Sequence, residues 1–190
     1  RFRPQVAAKW KEQKGVGNGV WYDLGPHLID QALVLFGLPT SITANCLMLR
    51  EGAEAVDYFN VQLNYPDLHV NLSSSPYVPD TSQRFNIQGT QAQFVKQGKD
   101  PQEKQLNDGV LPSTVGFGCE SANQFGILSN QTQQQVISSE VGNYGCYYQQ
   151  LALAINQQFS PPVPITEALS VMRILELAVL SSEQGRTINL

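Results

Sequence analysis

Between Val20 and Phe36 the apolar residues recur as Val20, Trp21, Leu24, Leu28, Ala32, Leu35 and Phe36, close to the period of an amphipathic helix. Pro26 suits a first turn, where its missing N–H has no partner to lose, and Gly37 followed by Pro39 reads as a stop. The pattern predicts a helix over residues 23–36. The period then drops to two. Ile42, Ala44, Cys46 and Met48 alternate with polar positions up to a turn at Glu51-Gly52, and Phe59, Val61, Leu63 and Leu68, Val70, Leu72 alternate on either side of Pro66-Asp67. A strand and a hairpin follow from this. Phe85 and Ile87 before Gly89-Thr90, with Phe94 after it, predict a second hairpin.

Residues 99–131 lose the pattern and carry Gly, Pro, Asn and Ser, so an irregular excursion is expected there, with a short helix near Pro101–Leu106. "QTQQQVISSEVG" returns to strand. Two helices close the chain: "NYGCYYQQLALAINQQ", and, after Pro161–Pro164, "ITEALSVMRILELAVLSSEQG" with Thr166 as its expected cap and Gly185 as its stop. "TINL" adds a last short strand. The strands alternate apolar and polar, which gives an α+β fold: a large, mostly antiparallel sheet with helices packed on one face and a second face left for water or a partner.

Composition narrows the function classes. A chain of 190 residues with 42% hydrophobic and 15% charged residues is expected to fold as one domain, 1–190, with a real core. Its net charge of −4 and the thin spread of basic residues argue against nucleic acid. The basic cluster Arg1, Arg3, Lys9, Lys11 and Lys14 reads as a solvated helix face. No apolar run is long enough to span a membrane. Cys46, Cys119 and Cys146 are odd in number and form no C-x-x-C pair, which speaks against a disulfide scaffold and structural zinc and fits a reducing compartment, taken as the cytoplasm. The chain opens on Arg1 inside a charged stretch, as a piece of a longer protein would.

One stretch carries candidate chemistry. In "GVWYDLGPHLID" Asp23 and His27 stand one helical turn apart, so both face the same point. A carboxylate beside an imidazole fixes its tautomer and supports its charged form, as proton transfer near neutral pH requires, and Asp30 is a further partner on that side. A structural reading stands beside it: Asp23 caps the helix and His27 is a satisfied, partly buried ring. Glycines 15, 17 and 19 follow "KWKEQK" rather than an apolar strand, which argues against a dinucleotide loop and for a flexible approach to a ligand or another domain. Asn18 in that approach, with Tyr144 and Tyr147, supplies candidate substrate-binding groups. A tyrosine stripe at helical spacing also serves as core. His69 within its strand reads as structural.

"RFRP", "GNGVWYDLGPHLIDQALVLFG", "FNIQGTQAQFVKQGKDPQEKQL", "YYQQLALAI" and "PPVPITEALSVMRILELAVLSSEQGRTINL" together resemble the C-terminal domain of the Gfo/Idh/MocA oxidoreductases, the family of glucose–fructose oxidoreductase and inositol dehydrogenase. The D-x-G-x-H element and the closing V-M-R-x-x-E-L-A-x-x-S-S-E-x-G-R segment are its most specific parts. The resemblance implies a parent dehydrogenase with an N-terminal Rossmann domain for NAD or NADP that this chain does not include. It implies a sugar or polyol substrate, His27 as the acid/base residue with Asp23 as its partner, and a homo-oligomer formed through the sheet. For this chain alone it implies no bound cofactor, no metal and no turnover. The alternative is a non-catalytic binding or assembly module.

Overall fold

The computed structural model describes residues 2–7, 9–79, 83–156 and 159–190. In chain order the elements are helix α1 (Val20–Phe36), strands β1 (Ser41–Leu47), β2 (Tyr58–Asn64), β3 (His69–Ser74), β4 (Gln83–Gln88) and β5 (Gln93–Gln97), then helix α2 (Gln102–Asn107). Strands β6 (Gly126–Ser129) and β7 (Gln134–Ile137), helices α3 (Tyr144–Ile155) and α4 (Ile165–Gln184), and strand β8 (Ile188–Asn189) complete the chain. Every strand pair is antiparallel, and the class is α+β. The strands are divided between two four-stranded sheets, ordered β3-β2-β1-β8 and β4-β5-β6-β7, rather than gathered into one large sheet. Pro76 and Pro79 follow β3 and have no N–H to give a ladder, so the pairing stops there and restarts with the β4–β5 hairpin.

The backbone correspondingly gathers into two compact units, one of residues 1–79 and 163–190, the other of residues 80–162. The first holds the buried core. Ile42, Ala44, Phe59, Val61, Leu63 and Leu72 line one face of its sheet and meet Trp21, Ile29 and Ala32 of α1 and Val171, Ile174, Leu175 and Ala178 of α4. The Trp21 ring packs edge-on to Phe59 with centroids 4.9 Å apart, and its indole N–H donates to the Leu175 carbonyl at 3.2 Å. The opposite face carries Thr43, Asn45, Tyr58, Asn60, Gln62, Asn64, His69, Asn71 and Ser73 in facing register. His69 Nδ1 lies 3.0 Å from Asn64 Oδ1, so this ring is satisfied within the sheet.

β8 pairs with β1 only at Ser41 and Ile42, which leaves the rest of that β1 edge open. Two serines near the end of α4 close it. The N–H groups of Ala44 and Cys46 donate to Ser181 Oγ and Ser182 Oγ at 3.0 and 2.8 Å. The S-S pair of the closing motif thus completes a sheet edge that would otherwise leave buried donors unpaired. Thr166 lies within α4 and does not cap it. The extended Pro164 occupies that position, and its carbonyl accepts the Glu167 N–H at 3.0 Å.

In the second unit the excursion after β5 is pinned by polar contacts. Lys96 Nζ donates to both Glu120 carboxylate oxygens, at 2.9 and 2.7 Å, and to the Gln124 carbonyl, while Ser139 Oγ donates to Glu120 at 2.6 Å. The buried Gln102 donates to Asp100 and accepts the Tyr144 N–H at 2.7 Å, which ties α2 to the start of α3.

Candidate functional site

Helix α1 begins at Val20, three residues earlier than the sequence predicts, because Gly19 turns the chain with φ +94° and the Val20 N–H donates to the Val56 carbonyl at 2.6 Å. A Cβ on Gly19 would stand 2.7 Å from that same carbonyl oxygen, so only glycine fits. Two expectations change. Asp23 lies inside the helix, its own N–H donating to the Gly19 carbonyl at 3.2 Å, so it is not the cap. Pro26 falls in the second turn, where its ring removes the N–H that would close on the Tyr22 carbonyl.

The buried side of α1 is Trp21, Gly25, Ile29 and Ala32. A Cβ on Gly25 would meet the Trp21 ring at 2.8 Å, so the glycine of D-x-G-x-H is there to let the indole lie across the helix. At about 100° per residue, Asp23, His27 and Asp30 fall on the opposite side, and all three are exposed. Packing of Trp21 thus presents the carboxylate and the imidazole outward together. His27 is not the partly buried ring of the structural reading. Among the described residues no direct hydrogen bond joins Asp23 to His27.

The carboxylate of Asp23 pairs with Lys11. Lys11 belongs to a one-turn 3-10 segment, Trp10–Glu12, within a loop over residues 9–19, and not to the helix face that its basic neighbours suggest. The loop is stapled. Asn18 Nδ2 donates to the carbonyls of Trp10 and Gln13, each at 3.1 Å, and the Gly19 N–H donates to the Lys11 carbonyl at 2.9 Å. The Asn18 amide nitrogen is therefore engaged within the loop. Glu12 anchors the loop to Arg50, which is buried and reaches Asp57 at 2.8 Å, Glu12 at 3.1 Å and the Gln5 carbonyl at 3.0 Å. Burial opposes the charge of Arg50, but Asp57 and Glu12 more than offset it and hold its pKa above the ordinary arginine value.

Tyr144 and Tyr147 sit on α3 in the second unit, 45% and 46% exposed, and no residue of α3 is buried. The stripe is thus not core. Partial burial, with Asp100 and Glu103 nearby, raises the Tyr144 hydroxyl above its ordinary pKa, so it stays a donor. The sequence reading takes Lys11 only as part of a solvated face and does not bring Lys11, Glu12 or Arg50 to this site. Their contacts span 12, 38 and 7 residues and leave no periodic mark. Among the described residues no three His, Cys, Asp or Glu side chains are placed to hold a metal ion, and no helix is long and apolar enough to cross a membrane.

The family model described as "Oxidoreductase family, C-terminal alpha/beta domain" matches residues 1–190. The chain belongs to the Gfo/Idh/MocA oxidoreductase family. Among its relatives in that family, scyllo-inositol 2-dehydrogenase (NADP(+)) IolW of Bacillus subtilis is 39% identical over 100% of the chain and 54% of the relative. The uncharacterized oxidoreductase YdgJ of Escherichia coli is 38% identical over 99% of the chain and 55% of the relative. The solved structure of yvaA from Bacillus subtilis superposes with a TM-score of 0.92 at 39% identity, over 100% of the chain and 55% of that structure. The chain thus spans about 55% of the length of these relatives.

Proposed function

We propose that this chain is the substrate-binding and oligomerising half of a cytoplasmic, NAD- or NADP-dependent dehydrogenase that acts on a sugar or polyol hydroxyl. The observation that carries this reading is the joint exposure of Asp23 and His27 on one side of α1, one turn apart, in a chain that belongs to an oxidoreductase family. His27 accepts the hydroxyl proton, with Asp23 as its partner in orienting substrate and relaying the proton. The name of one relative, a scyllo-inositol 2-dehydrogenase, supports a polyol.

The nicotinamide supplies the hydride chemistry when bound, and the described residues do not fit its phosphates. The glycines at 15, 17 and 19 follow a 3-10 turn and not a strand, and the Gly19 N–H is directed to the Lys11 carbonyl. We therefore assign cofactor binding to a Rossmann domain outside this chain. Asn18 contributes by holding the loop beside Asp23. The uncharged, amide-rich sheet face from Thr43 to Ser73 is the surface through which two copies would pair.

The test is the full-length gene product assayed with NAD and NADP against a panel of inositols and sugars. Oxidation of a polyol is expected, with His27→Ala lowering kcat by roughly 10²–10⁴. An intact, cofactor-binding protein inert on every polyol would overturn the reading and leave an assembly module.

A further inference from the structure

Asn18-Gly19 is the only Asn-Gly pair in the chain, and the fold needs both residues. Position 19 must be glycine, because its φ is +94° and a Cβ would meet the Val56 carbonyl oxygen at 2.7 Å and the Val56 nitrogen at 2.9 Å. Asn18 supplies the donor that two carbonyls of the loop receive, those of Trp10 and Gln13. Its amide also lies against Gly15, where a Cβ would stand 2.7 Å from Nδ2. The pair that builds this turn is also chemically labile. Without a Cβ to shield it, the glycine nitrogen can reach the side-chain carbonyl of the asparagine before it.

The reaction has a defined course. The Gly19 nitrogen bonds to Asn18 Cγ and gives its proton to water, the Cγ–Nδ2 bond breaks, and ammonia leaves. Water then opens the five-membered imide at either carbonyl, to aspartate or isoaspartate. The net change is one water taken up and one ammonia released. In the folded chain both reacting groups are held. The Gly19 N–H donates to the Lys11 carbonyl at 2.9 Å, and Asn18 Nδ2 donates to the Trp10 and Gln13 carbonyls, each at 3.1 Å. To form the imide, the nitrogen must leave its acceptor and the amide must swing off both of its own.

We infer that Asn18-Gly19 is a deamidation site that the loop over residues 9–19 keeps closed, and that conversion of Asn18 opens this loop irreversibly. An ionised carboxylate only accepts hydrogen bonds, so it would turn negative charge toward the Trp10 and Gln13 carbonyls in place of a donor. Isoaspartate would also add a methylene to the backbone ahead of Gly19, whose N–H holds Lys11 and whose turn starts α1. The loop carries Lys11 to Asp23, so the lesion reaches the first turn of α1. At its other side the loop is tied by Glu12, which accepts from the Ala7 N–H at 2.6 Å and from Arg50 at 3.1 Å. None of this depends on the catalytic reading of His27.

The full-length gene product, incubated at mildly alkaline pH with and without urea, reads the site directly when residue 18 is followed by peptide mass spectrometry. Native conversion is expected to be slower than conversion in urea by roughly tenfold or more, the effect of two or three hydrogen bonds of ordinary strength. Glu12→Ala unties the loop from Arg50 without touching either reacting residue, and should speed native conversion severalfold. Asn18→Asp, made directly, should be cut by trypsin after Lys11 and Lys14 faster than the wild type. Equal rates with and without urea overturn the closed site, and that comparison uses the wild-type protein alone. Protection that Glu12→Ala leaves unchanged overturns the loop as its cause. An Asn18→Asp protein cut no faster than the wild type overturns the opening.

Discussion

The two sheets have the same number of strands and the same antiparallel pairing, yet they are held in different ways. In β3-β2-β1-β8 one face is sealed by α1 and α4, and every large apolar side chain that is fully buried in the described residues belongs to this unit. In β4-β5-β6-β7 the apolar positions Ile87, Leu128 and Val136 remain exposed, and the buried side chain of note is the polar Gln102. The first sheet is stabilised by area removed from water, the second by a small number of directed polar contacts around Lys96, Glu120 and Gln102. Alternation along a strand is the same in both. What differs is whether a helix lies over the apolar face.

That contrast predicts where substitution is felt. Trp21→Ala removes the largest buried side chain and the Phe59 contact, and is expected to cost about 3–5 kcal/mol in denaturant unfolding, read from the midpoint of the first unit. Lys96→Met is the counterpart in the second unit. It leaves Glu120 nearly buried without its cation and is expected to cost about 3 kcal/mol, although neither side chain belongs to an apolar core.

The same pair fixes a pH dependence. Burial raises the pKa of Glu120, but Lys96 and Ser139 lower it by more, and the net direction is below the ordinary carboxylate value. A carboxylate with a depressed folded pKa contributes stability that is present above its unfolded pKa and is lost as pH falls through the folded one. Acidification below the ordinary glutamate range should therefore weaken the second unit, and Lys96→Met should flatten that loss in acid titrations followed by circular dichroism.

Smaller effects sharpen the comparison further. Ser181→Ala strips the acceptor from the buried Ala44 N–H and is expected to cost about 1–2 kcal/mol. Val136→Ala, on a strand residue 63% exposed, should change stability by no more than about 0.5 kcal/mol. A large loss from Val136→Ala in thermal unfolding would mean that the second sheet is covered in solution, and the contrast between the units would fall.

Much of the architecture is legible in the chain. Helix α1, the hairpins β2–β3 and β4–β5, the short α2 and both final helices arise where periodicity and turn residues place them, because each depends on neighbours three, four or two positions away. The same locality makes Asp23 and His27 visible as a pair, since one helical turn fixes both. Cap positions are less legible. Gly19 starts α1 only because Val56, distant in sequence, accepts the next N–H, and this moved Asp23 and Pro26 into the helix body.

By itself the sequence determined the apolar and polar faces of α1 and of the strands, the α+β class, and the shared direction of Asp23 and His27. The tertiary structure alone decided that the strands form two sheets, that Ser181 and Ser182 close the open edge of β1, that Arg50 holds Glu12 and Asp57, and that Lys11 meets Asp23. Periodicity records which side of an element avoids water. Contacts between groups far apart in the chain have no period, and they exist only once the core has brought the elements together.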